Sequence, residues 1–88
     1  MFGLFNVVWY DGCEAYVSKF ILECHGENIT PRTMGKLENY INGNGDILKV
    51  DFRYSVDLDD IIEMNKSTSS VDKLAIERFN KMYFNMEV

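Results

Sequence analysis

Asp57, Asp59, Asp60 and Glu63 are the densest run of ionisable side chains in this 88-residue chain. Carboxylates this close together could hold a divalent cation. A calcium loop of the EF-hand type needs oxygen ligands at fixed alternate positions, a central glycine and a closing glutamate. Residues 57 to 63, "DLDDIIE", contain no glycine and do not follow that spacing. Two other readings fit the run better. One is a solvated helix start, where carboxylates complement the positive end of the helix dipole. The other is an acidic patch that docks on a basic surface of a partner, since opposite potentials speed association and select partners.

Cys13, Cys24 and His25 are the soft ligands. A structural zinc site needs four ligands, usually in paired spacings such as CxxC, and three residues with two adjacent do not supply them. No metal or cofactor is expected. A Cys–His nucleophile pair is conceivable. Adjacent residues on a strand point to opposite faces, so Cys24 and His25 would not meet there. The two thiols would be about 36 Å apart on one strand or about 16 Å apart on one helix. A disulfide needs Cα atoms within about 7 Å, so free thiols and a reducing, cytoplasmic setting are expected. "NGNGD", Asn42 to Asp46, resembles a phosphate loop only superficially. It lacks GxxxxGK[ST] and follows a helical pattern instead of preceding one. Trp9 and Tyr10 are of the types enriched at interface hot spots. On a strand one must face away from the other, and Tyr10 is taken as the exposed partner-binding candidate beside the acidic run.

The chain must position these residues with a single small domain. Hydrophobic residues make up 47% and aromatics 14%, which is too apolar for a disordered segment. No apolar run reaches the roughly 18 residues that would cross a membrane. The apolar start "MFGLFNVVWYDG" lacks a basic stretch and a small-residue cleavage site, so it is read as a strand and not a signal peptide. The formal net charge is −5. Nucleic-acid binding relies on Lys and Arg neutralising phosphates; nine basic residues among fourteen acidic ones, without a cluster, argue against it. The charge is uneven: −2 over residues 1–45, −4 over 46–63 and +1 over 64–88. Phe, Tyr, Met, Ile, Asn and Lys together number 37, against 12 for Ala, Gly, Pro and Arg. That bias is what an AT-rich genome encodes.

Three segments read clearly. In "ITPRTMGKLENYINGNG", Thr30 is an N-cap and Pro31 the first helical residue. Met34, Leu37, Tyr40 and Ile41 share a face, which predicts a helix over about 31–42. "DILKVDFRYSVD" alternates, with Leu48, Val50, Phe52, Tyr54 and Val56 on one side, as a half-buried strand does. "STSSVDKLAIERFNKMYFNMEV" places Val71, Leu74, Ala75, Phe79, Met82, Tyr83 and Met86 on one helical stripe, which predicts a helix over about 70–85. "LDDIIEMNK", 58 to 66, fits a short helix capped by Asp57 or a return strand, with the helix slightly favoured.

The stretch "VVWYDGCEAYVSKFILECHG", Val7 to Gly26, is ambiguous. Asp11-x-x-Glu14 matches a capping box, with Gly26 a natural helix stop. Asp-Gly between β-rich runs is equally a hairpin signal. The hairpin is preferred because a helix here would leave two strands, and an isolated two-stranded sheet is marginal. It also lets the first strand, apolar on both faces, sit inside the sheet. A faint echo relates "ILECHGENITPRTM" to "IIEMNKSTSSVDKL", each running from Ile-x-Glu through a polar linker into a capped helix. The expected fold is α+β and two-layer: an antiparallel sheet of three or four strands with two main helices, in the order β-β-α-β-(short α or β)-α.

The size, acidity and ββαβ opening over about residues 4–55 resemble small phage-encoded inhibitors of host enzymes and defence systems. The opening is similar in layout to a small T-even phage antitoxin that blocks a host RNase toxin. The resemblance rests on element order, so no functional residue carries over. It implies a non-enzymatic protein inhibitor that acts by occlusion. The expected partner is then a host protein with a basic surface, a nucleic-acid-binding enzyme being one candidate, with Asp57, Asp59, Asp60, Glu63 and Tyr10 at the contact. Carboxylates standing where phosphates would sit could make it a nucleic-acid mimic. An assembly protein forming homo-oligomers through exposed strand edges is the alternative, and a small thiol-dependent enzyme is the less favoured third.

Overall fold

The computed structural model describes residues 1–57, 59–61, 63 and 70–83. Four strands form one antiparallel sheet: β1 (Phe2–Tyr10), β2 (Ala15–His25), β3 (Asn28–Ile29) and β4 (Asp46–Val56), in the spatial order β3-β2-β1-β4. Two helices, α1 (Pro31–Ile41) and α2 (Ser70–Tyr83), pack against it to give a two-layer α+β fold.

The hairpin reading of Val7 to Gly26 holds. β1 and β2 pair without irregularity from Phe2↔Glu23 to Tyr10↔Ala15. The Asp11 half of the capping-box motif nonetheless forms, because its carboxylate caps as it would at a helix start, while the Glu14 side chain does not reach back. Oδ1 accepts the N–H groups of Cys13 and Glu14, each at 2.8 Å. No helix follows: the Asp11 N–H donates to the Glu14 carbonyl at 3.1 Å and closes a four-residue loop. Gly12, at φ 100°, takes the left-handed conformation the reversal requires.

These bonds favour the ionised carboxylate. The N–H of Glu14, then that of Cys13, hold Asp11 below the ordinary aspartate range. The folded pKa is depressed, so the contribution is fully present above the unfolded value and lost as pH falls through the folded one. Followed by NMR, the Cys13 and Glu14 amide shifts should titrate with a midpoint below the usual aspartate value of about 3.9. They should not titrate so in Asp11→Asn. A midpoint at or above the ordinary value would show that the loop bonds do not form in solution.

β1 lies inside the sheet, as its two apolar faces require. Strand alternation divides the core in two. Phe5 and Val7 join Phe20, Leu22, Leu37 and Ile41, the last two from α1. Leu4 points the other way and joins Ile21, Val56 and Ile61 with Ala75, Ile76 and Phe79 of α2.

α1 starts and stops where its sequence says. Thr30 Oγ1 accepts the Thr33 N–H at 3.1 Å, Pro31 opens the helix, and Asn42 closes it at φ 51° with its N–H on the Glu38 carbonyl. Thr33 is fully buried, an inward residue the apolar periodicity did not mark. In α2 the inward stripe is rotated. Ile76 is buried beside Ala75 and Phe79, while Leu74 is exposed. The predicted extension to residue 85, with Met86, and the side chain of Val71 lie outside the described residues.

The rotation of α2 follows from where it sits. The Cys24 N–H donates to the Met1 carbonyl at 2.8 Å, so even-numbered residues of β2 turn their backbone groups toward β1. The odd-numbered ones face the outer edge. α2 meets that edge. Arg78 Nη1 donates to the Lys19 carbonyl at 2.8 Å, and the Glu23 N–H donates to Tyr83 Oη at 2.8 Å. Phe2 packs edge-on against Phe79 and Tyr83, at 5.3 and 5.6 Å between centroids.

β4 corrects the sequence reading most sharply. Its pairing with β1 shifts between Leu4 and Phe5 and again between Val8 and Trp9. Each shift leaves one extra residue on β4, around Arg53 and Leu48, and each reverses the alternation. Phe52 and Val50 therefore face with Phe5 and Val7, whereas Tyr54 and Val56 face with Leu4 and Phe2. The five residues predicted to share a side do not.

β3 is an addition to the expected elements. The pair Gly26-Glu27 turns the chain between His25 and Asn28, with Gly26 at φ 66° as a two-residue hairpin turn demands. The echo between the two Ile-x-Glu segments is not structural: Ile21 and Glu23 are in a strand, Ile61 and Glu63 are helical.

Candidate functional site

The acidic segment begins where β4 ends. Val56 is buried in the core, and the chain leaves the sheet at Asp57. Asp57 Oδ1 accepts the Asp60 N–H at 2.9 Å, and Asp60 Oδ2 accepts the Asp57 N–H at 3.1 Å. This is a reciprocal cap with aspartate at both positions. The Ile61 N–H donates to the Asp57 carbonyl at 3.1 Å, closing a helical turn. Ile61 is buried against Leu4 and Val56, which pins the turn to the sheet. Asp59, Asp60, Ile61 and Glu63 are helical, so the short-helix reading is right there. Leu58, Ile62 and residues 64–66 lie outside the described residues.

Asp57, Asp59, Asp60 and Glu63 are all exposed. Asp57 and Asp60 each spend one oxygen on the cap. Among the described residues the ion pair is elsewhere, Lys49 Nζ to Asp51 Oδ1 at 3.5 Å. Among the described residues the acidic carboxylates thus face solvent without a cation paired to them.

Next to the turn, Met1, Phe2 and Val56 floor an open groove of about 580 Å³, with Asp57 and Asp59 on its rim. β1 pairs Phe2 with Val56, so the first residues of the chain and the end of β4 meet at this corner. The apolar floor is invisible in the sequence, because nothing local says that β1 and β4 are neighbours. The arrangement can take an apolar side chain while two carboxylates attract a cation beside it.

Tyr10 is not part of this corner. It is 39% exposed at the far end of β1, opposite Asp46, and its hydroxyl donates to the Gly12 carbonyl at 3.0 Å. Eight residue steps along the strand separate it from Phe2, about 26 Å at the usual rise. Trp9 turns inward, stacks on Tyr16 at 4.8 Å and donates its indole N–H to Ser18 Oγ at 3.2 Å.

Cys13 lies exposed in the hairpin loop, while Cys24 is buried near the other end of β2. Burial pushes the Cys24 thiol up, away from the thiolate a nucleophile requires. His25 is exposed beside it. "NGNGD" is the turn that stops α1 and starts β4. No described helix is long and apolar enough to cross a membrane. Comparison with protein-family models, with curated proteins and with solved structures gave no match.

Proposed function

We propose that this chain is a protein-binding protein that occludes a basic surface of its partner, in the manner of a phage-encoded inhibitor of a host enzyme. One observation carries the reading: exposed carboxylates, unpaired with any cation among the described residues, stand beside an open apolar groove at one corner of the sheet. An apolar anchor supplies affinity by burial, while the charges steer encounter and set orientation. The complementary surface is an apolar side chain flanked by Lys or Arg. The nucleic-acid-mimic version has weaker support, because Asp57 and Asp60 each commit an oxygen to the cap.

The assembly alternative rests on the outer edge of β4, where Leu48 is 60% exposed and Tyr54 50%. That edge carries two bulges and Lys49, Asp51 and Arg53, devices that discourage strand pairing between chains. Sedimentation at micromolar concentration separates the two readings, since a stable oligomer supports assembly.

The test of the leading reading is retention of a host protein by the immobilised chain at low and high salt. A contact driven by these charges weakens as salt screens it. The combined variant Asp57→Asn, Asp59→Asn, Asp60→Asn, Glu63→Gln should lose about ten-fold or more in affinity for the retained protein. Asn preserves the Asp57 cap, so the turn should survive. Unchanged affinity in that variant, with the fold intact by circular dichroism, rules out the acidic corner as the contact.

A further inference from the structure

A second concavity lies far from the acidic corner, between the β1–β2 hairpin, the C-terminal end of α1 and the middle of α2. It measures about 180 Å³ and is lined by Trp9, Phe20 and Tyr40 among its apolar residues, with Ser18, Asn44 and Arg78 as its polar ones. Drug-sized ligands occupy roughly 300 to 1,000 Å³. An engineered apolar cavity of about 150 Å³ holds one benzene. The space here therefore suits one six-membered ring with a small substituent.

The walls are aromatic and fixed. Phe20 and Tyr40 meet edge to face at 5.5 Å and 86°, and Trp9 is backed by Tyr16. A planar ring entering between such faces finds offset or edge-on partners. The polar groups are rich in donors. Arg78 is held by its bond to the Lys19 carbonyl and lies 5.0 Å over the Phe20 ring. That bond uses one of its five N–H donors, and no described carboxylate pairs with it. Ser18 Oγ accepts the Trp9 indole N–H, which leaves its own hydrogen to donate. Asn44 adds an amide at the mouth, and none of the lining residues is acidic.

We propose that this cavity binds a single planar aromatic ring carrying a carboxylate, a ligand of the benzoate class. The ring lies among Trp9, Phe20 and Tyr40, and the carboxylate meets the free donors of Arg78, Ser18 and Asn44. The inference is independent of the acidic corner and of any protein partner bound there.

Trp9 is the single tryptophan of the chain, so its fluorescence reports occupancy directly. Titration of the full chain with sodium benzoate, at ionic strength held constant with sodium chloride, should give a saturable change in Trp9 emission. Benzyl alcohol should bind at least ten-fold more weakly, and sodium acetate should give no saturable change. Asn44→Ala, whose side chain carries no structural bond among the described residues, should weaken benzoate two- to five-fold. Arg78→Gln should weaken it ten-fold or more. Because Arg78 also braces the β2 edge, the wild-type comparison of the three ligands decides the matter if that variant does not fold. The proposal is overturned by no saturable benzoate signal, or by benzyl alcohol binding as tightly as benzoate.

Discussion

Replacing Phe5 by alanine is expected to destabilise the fold by about 3–5 kcal/mol. A domain of this length has roughly 4–13 kcal/mol in all, so the variant should melt tens of degrees lower or be unfolded at room temperature. Phe5 is 1% exposed on the central strand. It stands opposite Phe20 on β2 and Phe52 on β4, with the Phe52 ring edge-on at 5.5 Å. Removing the ring leaves a void between two paired strands, which cannot close on it without breaking register. Val17→Ala in the same hairpin is the control: Val17 is 66% exposed, and its loss should cost no more than about 0.5 kcal/mol. Urea denaturation of both variants gives the comparison. A Phe5→Ala cost under about 1 kcal/mol would mean that β1 is not the central strand.

That centrality is legible in the amino-acid sequence, for a definite reason. A strand apolar at consecutive positions, as Phe2 to Tyr10 nearly is, needs neighbours on both edges and cover on both faces. The start of α1 is legible too, because Thr30 and Pro31 act through their own backbone neighbourhood, whereas the left-handed residue that closes the helix is Asn42, ahead of the glycines. What does not show is non-local. The β4 bulges depend on how two strands separated by some forty residues match lengths. Without them the alternation of "DILKVDFRYSVD" looks perfect and assigns Tyr54 to the wrong face. The rotated stripe of α2 has a similar origin. Leu74 scores as apolar, but the helix is aligned by Arg78 and Tyr83 on the β2 edge.

The candidate site divides along the same line. The carboxylates of 57–63 are contiguous, so composition alone finds them, and the Asp57 cap is a local motif. The groove beside them joins Met1 and Phe2 to Val56 across more than fifty residues. Tyr10 fails as a companion for the same reason: residue type groups it with the acidic run, and strand geometry puts it at the other end of the sheet. The 180 Å³ cavity draws on four elements and the loop before β4, and although Trp9 stands out by type, nothing local brings it beside Phe20, Tyr40 and Arg78.

Two glycine substitutions should move stability in opposite directions, and the difference probes the loop that closes that cavity. A Cβ built on Gly45 would lie 2.6 Å from the Trp9 ring and 2.6 Å from the Tyr10 carbonyl oxygen. The ring could shift, but the oxygen belongs to the β1 backbone, which pairs with β4 from Asp46 onward. Gly45→Ala should therefore cost about 1–3 kcal/mol, as overpacking does. At roughly 4–8 °C per kcal/mol for a domain this small, the melting temperature falls by some 5–20 °C. Trp9 emission should shift with it. Gly35 lies within α1, and a Cβ there meets nothing within 4 Å. Gly35→Ala should raise stability by about 0.5–1 kcal/mol, because alanine loses less backbone entropy in a helix. Thermal melts of both variants against the parent chain settle the pair. If Gly45→Ala melts with the parent, the loop before β4 does not approach Trp9 and Tyr10, and the mouth of the aromatic cavity is not where the structure puts it.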